Sequence, residues 1–179
     1  MHISFGRRLS LAALGAILLV TFSMGVAAAG TRHEKLHRAR EATAKFRDIE
    51  RAMKKGYGLP PEGPLSECIS SLDGTGAMGF HYINGSLLDD EVKIRKPEAL
   101  VYAPNRNGKL RLVALEYVVF ADAWEGDEPP MLFGEMFMYT PAPNRYEIPA
   151  FYSLHVWLWK HNPAGKFEAF NRRVSCPTN

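Results

Sequence analysis

After residue 60 the sequence becomes a series of short runs rich in Val, Tyr, Phe, Leu and Trp, which are separated by Gly, Pro, Asn and Asp. Runs of this kind are typical of β-strands bounded by turns. The stretch 104–108, Pro-Asn-Arg-Asn-Gly, predicts a hairpin between the second and third strands. No helical stretch alternates with the strands, so we expect an antiparallel sheet. The predicted strands are Met78–Ile83, Ala99–Tyr102, Leu110–Phe120, Leu132–Met138 and Tyr152–Trp159.

One helical stretch precedes these strands. Between His33 and Lys55, core-type residues recur at helical spacing among charged ones, and Gly56 followed by Pro60 and Pro61 predicts where the helix ends. The core-type positions are Leu36, Ala39, Thr43, Phe46, Ile49 and Met53. We therefore expect an α+β fold with one N-terminal amphipathic helix packed on one face of the antiparallel sheet.

The first 29 residues have the order of a secretory signal peptide. Arg7 and Arg8 precede an uncharged run from Leu9 to Ala29, and that run ends in small residues. Cleavage before Gly30 would leave one mature domain, residues 30–179, that is secreted or periplasmic and has no membrane span. The alternative is an uncut membrane anchor, because the run approaches the roughly 20 residues that span a bilayer.

The charge balance argues against nucleic acid as a partner. Of the 22 Lys and Arg residues, two lie in the predicted signal peptide, which leaves 20 basic residues against 19 acidic ones. A nucleic-acid-binding domain needs many uncompensated positive charges to displace counterions. The composition does not indicate an oligomeric state.

Cys68 and Cys176 are the two cysteines of the chain, and both lie in the predicted mature domain. In an oxidising compartment such a pair is expected to form a disulfide. The alternative is a soft-metal site, but no further Cys or His lies close to them in sequence.

Motifs for common catalytic chemistry are weak or missing in this sequence. Residues 74–79, Gly-Thr-Gly-Ala-Met-Gly, match the dinucleotide-binding pattern, but a strand follows them where the pattern requires a helix. No serine lies in a nucleophile elbow, and no H-E-x-x-H zinc motif occurs. The catalytic residues, if there are any, are therefore unknown at this level.

Polar residues inside apolar strands give the strongest indication of a site. Strict alternation places two sets of residues on opposite faces of each long strand. One set, which we expect to face the helix, is Val113, Leu115 and Val119 with Leu154, Val156 and Leu158. The other set is Leu112, Ala114, Glu116 and Val118 with Ser153, His155, Trp157 and Trp159.

His81, Glu116 and His155 are expected to converge on the sheet face away from the helix. Two imidazoles and one carboxylate suit a divalent metal such as Zn²⁺ or Fe²⁺ with open coordination positions. A hydrogen-bonded polar cluster is the more frequent use of such residues. The expected ligand-binding residues around them are Tyr82, Glu98, Trp157 and Trp159.

Four segments together resemble a family of exported bacterial proteins that has no assigned activity. They are residues 76–84, GAMGFHYIN; 95–102, RKPEALVY; 132–135, LFGE; and 154–163, LHVWLWKHNP. The resemblance covers most of the chain from the first helix to Cys176. It implies a secreted single domain and supplies no catalytic residues.

Three functions are compatible with these residues. The first is a binding module for a small ligand or a metal ion, and the second is a metal-dependent enzyme that uses the same His and Glu residues. The third is a structural or interaction protein of the cell envelope. We rank binding above catalysis, because no nucleophile or cofactor motif is present.

Overall fold

A computed structural model describes residues 1–2 and 30–177 of the 179-residue chain. The predicted signal peptide, apart from its first two residues, lies outside the described residues. The remainder combines short N-terminal helices with antiparallel strands and one disulfide, so the predicted α+β class is confirmed. No helix among residues 30–177 is long and apolar enough to cross a membrane.

The main sheet has six antiparallel strands in the order β1-β2-β3-β4-β8-β7. The predicted hairpin is present, since β3 and β4 pair through the turn at 105–109. The strands of this sheet are β1 Ile69–Ser70, β2 Ala77–Ile83, β3 Ala99–Pro104, β4 Leu110–Phe120, β7 Met138–Thr140 and β8 Phe151–Val156.

The predicted strand Leu132–Met138 is wrong, because this segment turns back on itself. Met131–Leu132 (β5) pairs with Glu135–Met136 (β6), and the chain reverses at Phe133 and Gly134. Both turn residues have positive φ values, 56° and 77°. That is the conformation of a tight two-residue hairpin turn, which Gly134 adopts readily and Phe133 adopts only at some cost.

The helical segment is broken where one continuous helix was predicted. Helix α1, Arg32–Thr43, is followed by a 3₁₀ turn, Ala44–Arg47, and then by helix α2, Ile49–Met53. Thr31 and Glu34 form a capping box at the start of α1. Asp48 is extended and its carboxylate accepts the backbone N–H of Glu50, so it ends one element and caps the next.

A bulge in β4 breaks the strict alternation that the sequence analysis assumed. Val101 pairs with Ala114 but Tyr102 pairs with Leu112, which leaves Val113 without a partner in β3. Leu112 therefore shares a buried cluster with Leu115, while Val113 lies with Ala114 in a second cluster. The predicted faces of Leu112 and Val113 were wrong by this one inserted residue.

The two buried clusters lie on opposite faces of the sheet. The first contains Leu100, Leu115 and Leu154 together with Ala39, Phe46 and Ala52 of the helical segment. The hydroxyl of Tyr102 donates to the backbone oxygen of Phe46 over 2.6 Å. Met53 is 57 % exposed, although it was predicted to be a core residue. The second cluster is Ala77, Val101, Ala103, Val113, Ala114, Trp157 and Val174.

The predicted disulfide between Cys68 and Cys176 is present, with the two Cα atoms 5.5 Å apart. It joins the segment before β1 to the C-terminal segment, where Cys176 packs against the second cluster. The bond closes a loop of 108 residues that includes every strand of the main sheet.

Candidate functional site

Three neighbouring strands bring His81, Glu116 and His155 to one face of the sheet. Glu116 and His155 are direct partners across β4 and β8, and Ala99 of β3 lies opposite Glu116 on its other side. His81 lies one pair further along β2, opposite Val101. Directly paired residues share a face of the sheet. The pairing register therefore places His81, Glu116 and His155 on the same face.

The carboxylate of Glu116 contacts the His81 imidazole, and the His81 and His155 rings contact each other. His81 Nε2 is 3.0 Å from Glu116 Oε2, and the ring centroids of His81 and His155 are 5.9 Å apart. His81 is 2 % exposed and His155 is 4 % exposed. The site is therefore a largely buried carboxylate beside two buried imidazoles.

Neither ring nitrogen of His81 or His155 has a hydrogen-bond partner within residues 30–177. His81 Nε2 nevertheless lies 3.0 Å from Glu116 Oε2, within the distance of a hydrogen bond or an ion pair, whereas the structure shows no such contact for the nitrogens of His155 among the described residues. Buried polar atoms without partners are rare in folded proteins, since each costs roughly 1–3 kcal/mol. These nitrogens are therefore available to a ligand.

The protonation of Glu116 and His155 follows from their burial and their contact with each other. Burial alone would raise the pKa of the Glu116 carboxyl, but the attraction of His81 and His155 lowers it below its usual value. Burial lowers the pKa of His155 to about 4, against the opposing effect of Glu116. At neutral pH the site therefore holds an ionised carboxylate beside a neutral His155 imidazole.

A cavity of about 870 Å³ lies over these residues. Its walls come from the segment 56–65 on one side and from β7 with the loop 146–148 on the other. Most of the lining is apolar, and the inner end is polar because His81, Glu116, Ser153 and His155 lie there. An apolar cavity of this size with a few convergent polar groups is typical of a small-molecule site.

Glu98 also lines the cavity, as the sequence analysis expected, and it is 2 % exposed. Its Oε2 atom accepts the backbone N–H of Val118 over 2.9 Å. Burial raises the pKa of this carboxyl to about 8, although that hydrogen bond lowers it in part. Glu98 is therefore largely protonated at neutral pH, and the ionised carboxylate among the buried site residues is Glu116.

The three aromatic residues expected around the site lie in different places. Trp157 is buried beside the site, with its ring centroid 4.8 Å from that of His155, and its indole N–H donates to the backbone of Glu168. Tyr82 lies on the opposite face, where its ring contacts Tyr102 at 5.0 Å. Trp159 packs against the first cluster, and the guanidinium carbon of Arg40 lies 4.1 Å from the centroid of its ring.

Tyr82, Trp157 and Trp159 are not among the residues that line the cavity, and their expected ligand-binding role stays a prediction. Tyr82 follows His81 directly and so alternates to the other face. Trp159 lies beyond β8, which ends at Val156, so strand alternation no longer applies to it.

Sequence reasoning missed the loop residues of the site. Tyr146 and Glu147 line the cavity from the loop between β7 and β8, and Glu147 has a positive φ of 57°. Burial and the charge of Glu116 raise the pKa of Tyr146. Nothing in the local sequence places this loop over β4, because loops lack the periodicity that fixes the faces of strands. Ser153 could have been found, since it lies two residues before His155 on the same strand.

The metal interpretation receives no support from the donor geometry. Within residues 30–177, no group of three or more His, Cys, Asp or Glu side chains is arranged to hold a metal ion.

Comparison with known proteins identifies no relative: no family model, no curated protein and no solved structure matches the chain. The resemblance to exported bacterial proteins accordingly stays a prediction. The candidate function rests on the chemistry of the cavity.

Proposed function

We propose that this protein is a binding module for a small organic ligand, which it holds in the cavity with its polar end against Glu116, His81 and His155. The observation that carries the proposal is that His81 and His155 line a cavity of about 870 Å³ and that both ring nitrogens of His155 are buried without a hydrogen-bond partner within residues 30–177. A ligand that supplies hydrogen bonds to these atoms would remove a cost that the folded protein otherwise carries.

The apolar walls support a ligand with an apolar body. Ile69, Met78 and Ile83 line one part of the cavity, and Val118, Ile148 and Phe151 line another. Burying apolar ligand surface against them would contribute roughly 25 cal/mol per Å². The neutral His155 and the ionised Glu116 then fix the orientation of the ligand's polar group.

We favour an organic ligand over a metal ion because no metal-holding group was found among residues 30–177. Elemental analysis of the protein purified from its export compartment tests this preference. A stoichiometric metal that is lost in His155→Ala would contradict the organic-ligand proposal and favour the metal-binding alternative.

The direct test uses 1-aminoanthracene, an uncharged probe at neutral pH whose fluorescence rises in apolar surroundings. We expect saturable binding to the unmodified protein. Val118→Trp places a bulky side chain beside Glu116 and should weaken binding at least about tenfold, equivalent to about 1.4 kcal/mol.

The matched control is Arg111→Trp, which adds the same side chain to an exposed position of the same strand outside the cavity. It should leave the affinity within about twofold. Thermal unfolding of both variants shows that each is folded. Absence of saturable binding in the unmodified protein, or equal binding in Val118→Trp, would reject the proposal.

We further propose that the helical segment covers the sheet face opposite the cavity and that the protein functions outside the cytoplasm. The shared cluster of Phe46 with Leu115 and Leu154 supports the first point. The disulfide is compatible with the second, because such bonds persist in oxidising compartments. Cell fractionation with N-terminal sequencing tests the location, and a mature terminus near Gly30 is expected.

A further inference from the structure

The acidic side chains that line the cavity are all glutamates. Of these, Glu98 is largely protonated at neutral pH, and Glu135 is paired with Arg32. Among the described lining residues there are six glutamates and no Lys, Arg or Asp. They are Glu62, Glu98, Glu116, Glu135, Glu147 and Glu168. The chain as a whole carries a formal net charge of +3, so the acidic lining does not reflect its composition.

Three basic residues close to the lining, Arg32, Lys93 and Arg145, contact residues other than Glu116. Arg32 pairs with Glu135 over 2.7 Å, and Lys93 pairs with Asp89 over 2.9 Å. Arg145 lies over the ring of Tyr146, 5.7 Å from its centroid. None of these three residues lines the cavity, and the group that the structure pairs with Glu116 is His81, 3.0 Å away.

We infer that the ligand is an organic ammonium compound, a protonated amine on an apolar body, with its nitrogen bound between Glu116, His81 and His155. This inference deepens the proposed function and rests on it. The acidic lining alone would not carry it. The independent observation is that His155, which is more than nine-tenths buried, lines the cavity and has two ring nitrogens without a hydrogen-bond partner within residues 30–177.

The hydrogen-bonding capacity of a primary ammonium group matches this site. Such a group has three N–H donors and no acceptor, as a lysine ammonium has. Glu116 offers carboxylate acceptors, and each imidazole in its neutral form offers one acceptor nitrogen. An ammonium donor would give the Glu116 carboxylate a further charge-assisted hydrogen bond, which is stronger than a neutral one.

The same site discriminates against other polar groups. A hydroxyl has a single donor and leaves two of the three acceptors unsatisfied. A carboxylate ligand would place a second negative charge next to Glu116 in surroundings of low dielectric. The exposed Glu62, Glu147 and Glu168 would add longer-range attraction for cations, which salt weakens.

The experiment compares three probes that share one apolar body: 4-phenylbutylamine, 4-phenylbutan-1-ol and 4-phenylbutyrate. Isothermal titration calorimetry at neutral pH and physiological ionic strength measures each affinity. We expect the amine to bind at least about tenfold more tightly than the alcohol, and the carboxylate to bind most weakly. Equal affinity of the amine and the alcohol, or tighter binding of the carboxylate, would overturn the inference.

Glu116→Gln tests where the selectivity arises, because it removes the charge and keeps the shape. The preference for the amine over the alcohol should fall to within about threefold, while the alcohol still binds. Glu67→Gln, an exposed residue outside the lining, is the matched control and should keep the full preference. A preference that persists in folded Glu116→Gln would also overturn the inference.

These outcomes separate this inference from the proposed function. If Glu116→Gln does not fold, the ranking of the three probes on the unmodified protein still decides the inference. Binding of 1-aminoanthracene without amine selectivity would leave the cavity a binding site for another class of ligand. Failure of all four probes would reject both proposals.

Discussion

His81 Nε2 lies 3.0 Å from Glu116 Oε2 although strand β3 runs between the strands that carry the two residues. The two side chains therefore meet above β3, on the face where Ala99 is the direct partner of Glu116. Ala99 is buried and its methyl group takes little space. The small size of residue 99 thus permits the contact, and a larger side chain there would stand between the imidazole and the carboxylate.

Ala99→Leu should separate His81 from Glu116 and weaken 1-aminoanthracene binding at least about tenfold. The added methylene groups should also cost roughly 1–3 kcal/mol in the free energy of unfolding, as overpacking does. Ala103→Leu is the matched control, because Ala103 is a buried residue of the same strand outside the cavity lining. We expect a similar loss of stability there with unchanged binding, and fluorescence titration with urea unfolding measures both.

The buried Glu98 should make the protein less stable as pH rises. Its pKa is about 8 in the folded protein against 4.5 for an ordinary glutamate, so the folded state holds the proton more tightly. The stabilisation is complete below about 4.5 and is lost between that pH and about 8. Glu98→Gln should flatten this part of the curve by up to about 5 kcal/mol.

Urea unfolding of both proteins across this pH range provides the measurement. The glutamine retains an oxygen that can accept the N–H of Val118, so the hydrogen bond is preserved. Asp89 and Lys93 also act on Glu98, in opposite directions, and they are present in both proteins. Parallel curves for the two proteins would show that Glu98 is ionised in the folded state.

Phe46→Ala should cost roughly 3–5 kcal/mol in the free energy of unfolding, as large-to-small substitutions in a core do. Phe46 is 6 % exposed, and its ring lies 5.2 Å from that of Tyr57. Met53→Ala is the control from the same helical segment, because Met53 is 57 % exposed and should lose less than about 1 kcal/mol. Similar losses in the two variants would mean that the helical segment does not cover the sheet as proposed.

Reduction of the Cys68–Cys176 bond should destabilise the protein by roughly 4–5 kcal/mol on the chain-entropy model, because the closed loop is long. Urea unfolding with and without reductant gives this difference. The double variant Cys68→Ala with Cys176→Ala should show the same loss and no response to reductant. If the unmodified protein unfolds at the same urea concentration under both conditions, the loop-closure account is wrong.

The residues of the polar site could be predicted because they lie in strands. Alternation fixes the faces of β2 and β8 from sequence, and the bounds of β4 were predicted as Leu110–Phe120, as observed. Glu116 lies on the predicted face because it follows the bulge, whereas Leu112 precedes it and changes face. One inserted residue has no signature in the hydrophobic pattern, so the error at Leu112 and Val113 was unavoidable.

The walls of the cavity were beyond prediction for a different reason. Tyr146, Glu147 and Leu65 come from connecting segments, whose positions depend on the completed sheet. The break of the helix at Asp48 also escaped prediction, because charged residues on both sides continue the helical spacing. The acidic lining of the cavity therefore became visible only in three dimensions.

The disulfide has a further consequence for the loop at 141–150, which forms one wall of the cavity and exposes Arg145 to solvent. Hydrolysis of a single peptide bond there would not release a fragment, because both new chain ends remain attached through Cys68 and Cys176. A single cleavage in this loop would give two chains that are joined by the disulfide, and the mass would increase by one water molecule. The protein can thus survive one cut in this exposed segment with its sheet still covalently enclosed.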